Sequence, residues 1–396
     1  MSSPTLDTAV AGYARTNGHT ERTLTLVASD VAPVGGMERA AFELCSRLLD
    51  RGWRLTVIAR TCALPRSQNL RFVRLPSPPR PVSLALIADC LFAAIALARY
   101  RDGLLQTVNP TIINRVDVIT AQFCEAAARR SGVSRARRPS LLFRLNSWAA
   151  SWIALWLERW CYRPDRVRRV AGASRGLVRD LSHWYPQVSD RLCTIANGVD
   201  YRAFERGPVE RDRVRRELDL DEGTLVALFV GGDWHRKGLR HAIEALPQAD
   251  GWTLVVVGAG DPAAFEPLIA RLGVRQRVRF VGRKADPVPY YLAADALVAP
   301  SYFEAFSLVA LEAAAGSLPL IVPRMNGTEE LVRDGVNGWF TERNGSGIAA
   351  RLRALRDDPA LRHAMSAAAR DSVEPYDWDR ITDLYEAMYA ELLPRS

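Results

Sequence analysis

Short runs of Val, Leu, Ile and Thr alternate with helical stretches from about residue 23, and half-way along the chain the alternation starts again. In the first half the runs are "TLTLVAS" (23–29), "RLTVIA" (54–59), "LLQTV" (104–108), "DVITA" (117–121), "RVAGAS" (169–174) and "RLCTIA" (191–196), with a helix over 37–51 after the first. The second half runs through "TLVALFVGG" (224–232), "WTLVVVGAG" (252–260), "RVRFVG" (277–282), "DALVAP" (295–300) and "LPLIVP" (318–323), with helices between. Runs that are apolar throughout suit strands buried on both faces, and helical crossovers between them make the sheet parallel. The pattern predicts an α/β protein of two successive doubly wound sheets, Rossmann-like in each half. A chain of 396 residues also exceeds one comfortable core.

Turn residues replace the periodic pattern at "ANGVDYRAFERGP" (196–208), which sets the expected layout. Residues 1–20 form a polar, unpatterned tail, 21–196 a first domain and 197–375 a second. The final stretch, 376–396, contains "WDRITDLYEAMYAELL", an amphipathic helix expected to pack back on the first domain.

Composition excludes several classes. With 48% hydrophobic and 24% charged residues the chain is globular, not disordered. Its most apolar run, "SLALIADCLFAAIALARY", is short and carries Asp89, and is expected as a buried amphipathic helix rather than a membrane span. The six cysteines have no CxxC or metal-type spacing and follow no signal peptide, so reduced thiols and a cytoplasmic location are expected. Charge is uneven: residues 1–200 hold 28 arginines against 15 acids, whereas residues 201–396 are net acidic. Of 53 basic residues only Lys237 and Lys284 are lysine.

Three loops carry candidate chemistry. "DALVAP" ends a strand, and ligands of parallel sheets sit beyond the carboxyl ends of strands. Glu304 follows on the loop, and a helix starting near residues 305–307 would offer unpaired N–H groups and a positive dipole end to phosphate. Glu312 would fall about two turns into that helix, where a buried acid needs a polar partner such as a ribose diol. A solvated loop Glu and a helix-stabilising Glu remain the plain alternative. "VGGDWHRKGL" (230–239) likewise opens a helix after a strand, with glycines for close approach and Arg236 and Lys237 to neutralise a diphosphate. "PVGGMER" (33–39) occupies the equivalent place in the first half. Two such loops on facing domains suggest a nucleoside diphosphate held across a cleft.

These residues resemble a known family. "PSYFEAFSLVALEA", with Glu304 and Glu312 in E-x7-E spacing, is similar to the signature of retaining family 4 glycosyltransferases of GT-B fold. "ANGVD" (196–200) resembles that family's interdomain segment, "GGMER" its N-terminal glycine loop and "FVGR" (280–283) its nucleobase loop. "GGDWHRKG" is nearest the branch that includes lipopolysaccharide-core glucosyltransferases. The resemblance implies that Lys237, Arg236 and Gly232 flank the donor diphosphate, with Gly35 and Gly36 adding amides from the first domain. It implies that Glu304 holds the sugar hydroxyls, Phe306, Ser307 and Leu308 lend backbone amides, Glu312 binds the ribose, and Arg283 borders the base. Relatives often carry an arginine where this chain has Gly232, and a His or Asp where it has Gln122. Gln122 can orient a hydroxyl but not remove its proton. The implied reaction is a front-face transfer of a hexosyl group, UDP-sugar favoured, to an acceptor hydroxyl of an envelope glycan, glycolipid or secondary metabolite.

No cofactor is implied. No D-x-D pair sits on a loop beside these elements and no His/Cys cluster has ligand spacing, so no metal is expected; cationic side chains and a helix dipole would stabilise the leaving diphosphate. A non-catalytic nucleotide-sugar-binding protein of the same fold is the alternative, suggested by Gln122 and Gly232. A dinucleotide oxidoreductase lacks its strand-linked G-x-G-x-x-G here.

Trp148, Trp152, Trp156 and Trp160 recur every four residues, among Arg129, Arg130, Arg135, Arg137, Arg138, Arg144, Arg159, Arg163, Arg166, Arg168 and Arg169. One reading packs the Trp stripe on the sheet with the arginines solvated. The other docks this face on an anionic membrane, which would make the protein peripheral on its inner side. No nucleic-acid-binding motif accompanies the charge, so no nucleic-acid partner is expected.

Overall fold

The computed structural model describes residues 22–78, 81–130, 141–205, 208–221 and 223–393, with backbone alone for 141–144 and 208. The tail 1–20, Arg135, Arg137, Arg138 and the Arg144 side chain lie outside the described residues. Strands β1 (Thr23–Val27), β2 (Arg54–Ala59), β3 (Leu70–Arg74), β4 (Leu104–Val108), β5 (Val116–Ala121), β6 (Val167–Gly172) and β7 (Leu192–Thr194) form one sheet. Strands β8 (Leu225–Val230), β9 (Trp252–Val257), β10 (Val278–Gly282), β11 (Ala296–Val298), β12 (Leu320–Val322) and β13 (Gly338–Phe340) form the second. Their orders, β3-β2-β1-β4-β5-β6-β7 and β10-β9-β8-β11-β12-β13, repeat one topology, and every pairing is parallel. In each half the strand order reverses beside the first strand, and the loops leaving that edge frame a ligand crevice.

Two strands had no continuous apolar run to announce them. β3, "LRFVR", is an edge strand that leaves Phe72 exposed. β13, "GWF", opens on Gly338, where a Cβ would meet the Leu320 carbonyl at 2.3 Å.

Helices α1 (Met37–Asp50), α2 (Val82–Tyr100), α3 (Glu125–Arg130), α4 (Leu141–Cys161) and α5 (Arg175–Trp184) cover the first sheet. Around the second lie α6 (Pro208–Glu217), α7 (Leu239–Ala245), α8 (Glu266–Leu272), α9 (Val288–Ala293), α10 (Leu308–Ala315), α11 (Thr328–Leu331), α12 (Gly345–Asp357) and α13 (Pro359–Asp371). The last helix, α14 (Trp378–Leu392), lies in the first domain's core: Trp378, Ile381, Tyr385, Met388 and Tyr389 pack with Leu44, Leu48, Trp53 and Leu55. Tyr389 donates to Gln106 Oε1, Trp53 Nε1 donates to Glu386 at 2.7 Å, and Arg51 bridges Asp383 and Glu386.

Helix α2 corrects the expectation of a buried helix. Its inward face is small or polar (Ala85, Asp89, Cys90, Ala93, Ala96), while Leu84, Ile87, Leu91, Phe92 and Ile95 point outward and are exposed. Small residues let the helix sit close to the sheet, and Asp89 accepts from the Ser77 and Ser29 hydroxyls beneath it.

Candidate functional site

Between the carboxyl edges of the two sheets lies a cleft of about 2590 Å³. Of the candidates, Gly35, Gly36, Gln122, Gly232, Arg236, Lys237, Arg283, Glu304, Phe306, Leu308 and Glu312 line it. Ser307 lies just behind, 5% exposed, as the N-cap of α10 with its hydroxyl toward the Ala310 amide.

The loops after β8 and β11 flank the reversal of strand order in the second sheet and are fastened together. Tyr302 N donates to the Arg236 carbonyl at 3.0 Å, and Arg236 Nη1 donates to the Phe303 carbonyl at 3.1 Å. Gly238 permits this approach: its φ is +77°, and a Cβ would stand 2.2 Å from the Pro300 carbonyl. Trp234, buried and stacked on Phe280, anchors the glycine loop through Nε1 to the Gly231 carbonyl at 2.9 Å. The result sets Lys237 Nζ against Glu304 Oε1 as an ion pair inside the cleft.

Glu312 sits one turn inside α10 rather than two, because the preceding loop remains non-helical through Ser307. Both its carboxylate oxygens have protein partners. Oε2 accepts from the Tyr291 hydroxyl at 2.5 Å, and Oε1 is ion-paired with Arg39 of α1, reaching across from the first domain. Burial draws the Arg39 guanidinium down, but Glu312 and Glu43 outweigh it and hold it above its ordinary value. Burial, reinforced by the Glu312 charge, pushes the Tyr291 hydroxyl well above its usual range, so it remains a proton donor to the carboxylate.

At the mouth of α10 the amides of Phe306 and Ser307 make no hydrogen bond among the described residues, whereas Leu308 N already reaches the Phe306 carbonyl at 3.1 Å. Both are orphan donors at the start of α10; Phe306 lines the cleft with Lys237 and Arg236, and the Ser307 amide lies against Gly327. From the first domain, Ser174 Oγ donates to the Ala305 carbonyl at 2.7 Å, and Phe123 meets Phe303 edge-on at 5.4 Å. Gln122 lines the cleft, but its amide is committed: Nε2 and Oε1 exchange 2.8 Å bonds with the amide of Asn197. Arg283 is an exposed residue of the rim.

Sequence reasoning did not assign Arg39, Tyr291, Asn197 or Ser174. Arg39 and Asn197 fall within "PVGGMER" and "ANGVD", but nothing local tells which distant carboxylate or amide they meet.

The Trp stripe divides. Trp148, Trp152 and Trp156 are exposed, while Trp160 is half-buried with Nε1 on the Ile113 carbonyl at 3.1 Å. The first three are not packed on the sheet, because α4 turns Leu155, Leu157, Glu158 and Cys161 inward instead. Arg129 lies over Trp152, 4.7 Å from its ring centre.

Two parallel-sheet domains facing across such a cleft define the GT-B class. The description "Glycosyltransferase Family 4" matches residues 34–202, and "Glycosyl transferases group 1" matches residues 210–372. The chain belongs to the glycosyltransferases that join these two domains. An uncharacterized glycosyltransferase of Methanocaldococcus jannaschii is 31% identical over 223 residues, 54% of this chain and 57% of that one. A D-inositol 3-phosphate glycosyltransferase of Geodermatophilus obscurus is 34% identical over 242 residues, 56% of this chain and 52% of its own. The chain thus spans about half the length of the curated relatives it matches. Among solved structures, WaaG, a glycosyltransferase involved in lipopolysaccharide biosynthesis, superposes with a TM-score of 0.79 at 22% identity, covering 94% of this chain and 100% of WaaG. HepE of Anabaena, solved in complex with UDP-glucose, gives 0.71 at 19% identity over 94% and 99%.

Proposed function

We propose that this protein moves a hexosyl group, with retention of anomeric configuration and without a metal, from a nucleoside diphosphate sugar to an acceptor hydroxyl. The observation that carries this reading is that Lys237, Arg236, Glu304 and Phe306 line one cleft, Lys237 and Glu304 paired within it, with the amides of Phe306 and Ser307 unbonded at the start of α10. A diphosphate entering there replaces Glu304 as the counter-ion of Lys237 and accepts from the two amides. Glu304, released, accepts from the sugar's hydroxyls. Glu312 keeps Tyr291 and takes the ribose diol.

In the transfer the acceptor oxygen bonds to the anomeric carbon on the face the diphosphate leaves. The bond from that carbon to phosphate oxygen breaks, and the departing oxygen receives the acceptor's proton. The products are the glycoside and the nucleoside diphosphate. Lys237, Arg236 and the amides stabilise the charge that grows on the leaving group. No side-chain base is required, which agrees with Gln122 being tied to Asn197. UDP is the favoured nucleotide, since HepE was solved with UDP-glucose; the acceptor is an envelope glycan or glycolipid or a secondary metabolite. A cytoplasmic protein, peripheral on an anionic membrane surface, is the location we assign.

The committed amide of Gln122 also favours a second reading, a nucleotide-sugar-binding protein that does not turn its ligand over. Thermal shifts with UDP-, GDP- and TDP-sugars in excess chelator, for wild type and Glu312→Ala, test the site. One nucleotide class should stabilise the wild type and lose that effect in the variant; no shift with any would end the donor assignment. Release of nucleoside diphosphate over time separates transferase from binder.

A further inference from the structure

Helix α2 is apolar on the wrong side for a protein surrounded only by water. From Val82 to Leu97 its one charged residue is Asp89, and that carboxylate is turned inward. Leu84, Leu91 and Ile95, on one outward stripe, are 54%, 58% and 68% exposed, with Ile87 and Phe92 beside them. By composition the helix could cross a membrane, with a mean hydropathy of 2.0. Its inner face, however, is packed on the sheet through Ala85, Ala93, Ala96 and Leu97, so it can lie on a bilayer but not pass through it.

This face continues into α4. Ser83 Oγ donates to Asn146 Oδ1 at 2.6 Å, which brings exposed Val82 and Leu84 next to exposed Leu145. Leu145 and Trp148 both line the cleft, and Trp152 and Trp156 carry the aromatic stripe away from it. One apolar band therefore runs from α2 to the mouth of the site. Its margins are cationic: the described side chains of 82–163 include seven arginines, with Arg129 4.7 Å from the Trp152 ring centre, and five acids. Of those acids Asp89, Asp117 and Glu158 are buried, and Glu125 is bonded to Ser151. Trp at an interface with arginine around it matches a layer of anionic headgroups over acyl chains.

We propose that α2 and the exposed Trp stripe of α4 bed together into the interfacial layer of an anionic bilayer, and that the acceptor is a lipid-anchored hydroxyl compound passed from that layer into the cleft beside Trp148. The docking half stands on the surface alone; the acceptor half rests on the transferase reading.

The full-length chain is tested with vesicles of phosphatidylglycerol and phosphatidylcholine and with pure phosphatidylcholine, at low and high salt. Wild type is compared with the double variant Leu91→Glu/Ile95→Glu, whose changes lie on exposed positions. Wild type should co-sediment with the anionic vesicles, its Trp fluorescence quenched by lipid brominated near the headgroup, and the variant should bind at least about tenfold more weakly. Donor-nucleotide thermal shift should be equal in both. Labelled sugar should enter organic-extractable material in vesicles of total polar lipid with wild type, and much less with the variant. Absent binding, equal binding to neutral vesicles, or equal binding by the variant would overturn the docking. A concentration-dependent dimer abolished in the variant would reassign the face to a second copy. Vesicle binding with all label in water-soluble product would overturn the lipid-borne acceptor, and vesicle binding without any nucleotide shift would sink the transferase reading alone.

Discussion

Each of the two motif carboxylates already has a cation: Lys237 on Glu304 within the second domain, and Arg39 on Glu312 between the domains. The second pair is the more consequential, since it joins the two domains through the carboxylate to which the ribose is assigned in the proposed reaction. Removing Arg39 leaves Glu312, 7% exposed, with Tyr291 as its remaining bonded partner. Arg39→Ala should therefore cost about 2–3 kcal/mol in urea unfolding, somewhat under the ~3–5 kcal/mol of a fully buried pair because the arginine retains some solvent. Glu312→Gln added to Arg39→Ala should recover part of that loss, as no unpaired charge then remains. Strictly additive effects would mean that the two groups are not coupled.

At the scale of the element, α5 shows how one side chain serves local and distant structure. Ser174 accepts from Leu177 N at 3.0 Å as the N-cap and donates to the Ala305 carbonyl on the loop that carries Glu304. Ser174→Ala should lose about 1–2 kcal/mol from the cap and the cross-domain bond. It should also weaken nucleotide-sugar affinity several-fold in a titration, since the Glu304 loop loses its hydrogen bond to the first domain and is left with the Phe123–Phe303 ring contact there; unchanged affinity would restrict Ser174 to capping. The central strands were legible as continuous apolar runs, and Glu304, Glu312 and Lys237 as parts of a spaced motif. The outward face of α2 was not: apolar residues lie on every side of "SLALIADCLFAAIALARY", so periodicity cannot choose the buried face. Packing against the sheet chooses the small one. Arg39–Glu312 and Gln122–Asn197 are separated by 273 and 75 residues, and no local pattern reports such a meeting.

For the whole molecule, the chain crosses between the domains twice, and the crossings touch. Val199 N donates to the Tyr376 carbonyl at 2.8 Å, and Val199 bridges Asp377 just before α14 enters the first domain's core. Adjacent crossings make a double-stranded pivot, with the Arg39–Glu312 pair acting as a contact across the cleft that opening would break. Gly198 is the tightest point of that pivot. A Cβ there would stand 2.6–2.9 Å from ring carbons of Trp378, itself 3% exposed and unable to step aside without leaving the core. Gly198→Ala should cost about 1–3 kcal/mol through this overpacking. Because the strain falls on the pivot and on α14, scanning calorimetry should show the first domain melting earlier than the second, in two transitions where wild type gives one. Nucleotide should then raise only the later transition. Pairing Gly198→Ala with Trp378→Leu should cost less than the two changes summed, as the smaller side chain leaves room for the new methyl, which in turn fills part of the void. One unsplit transition in Gly198→Ala, at the wild-type temperature, would mean that the pivot yields freely and that α14 does not couple the domains.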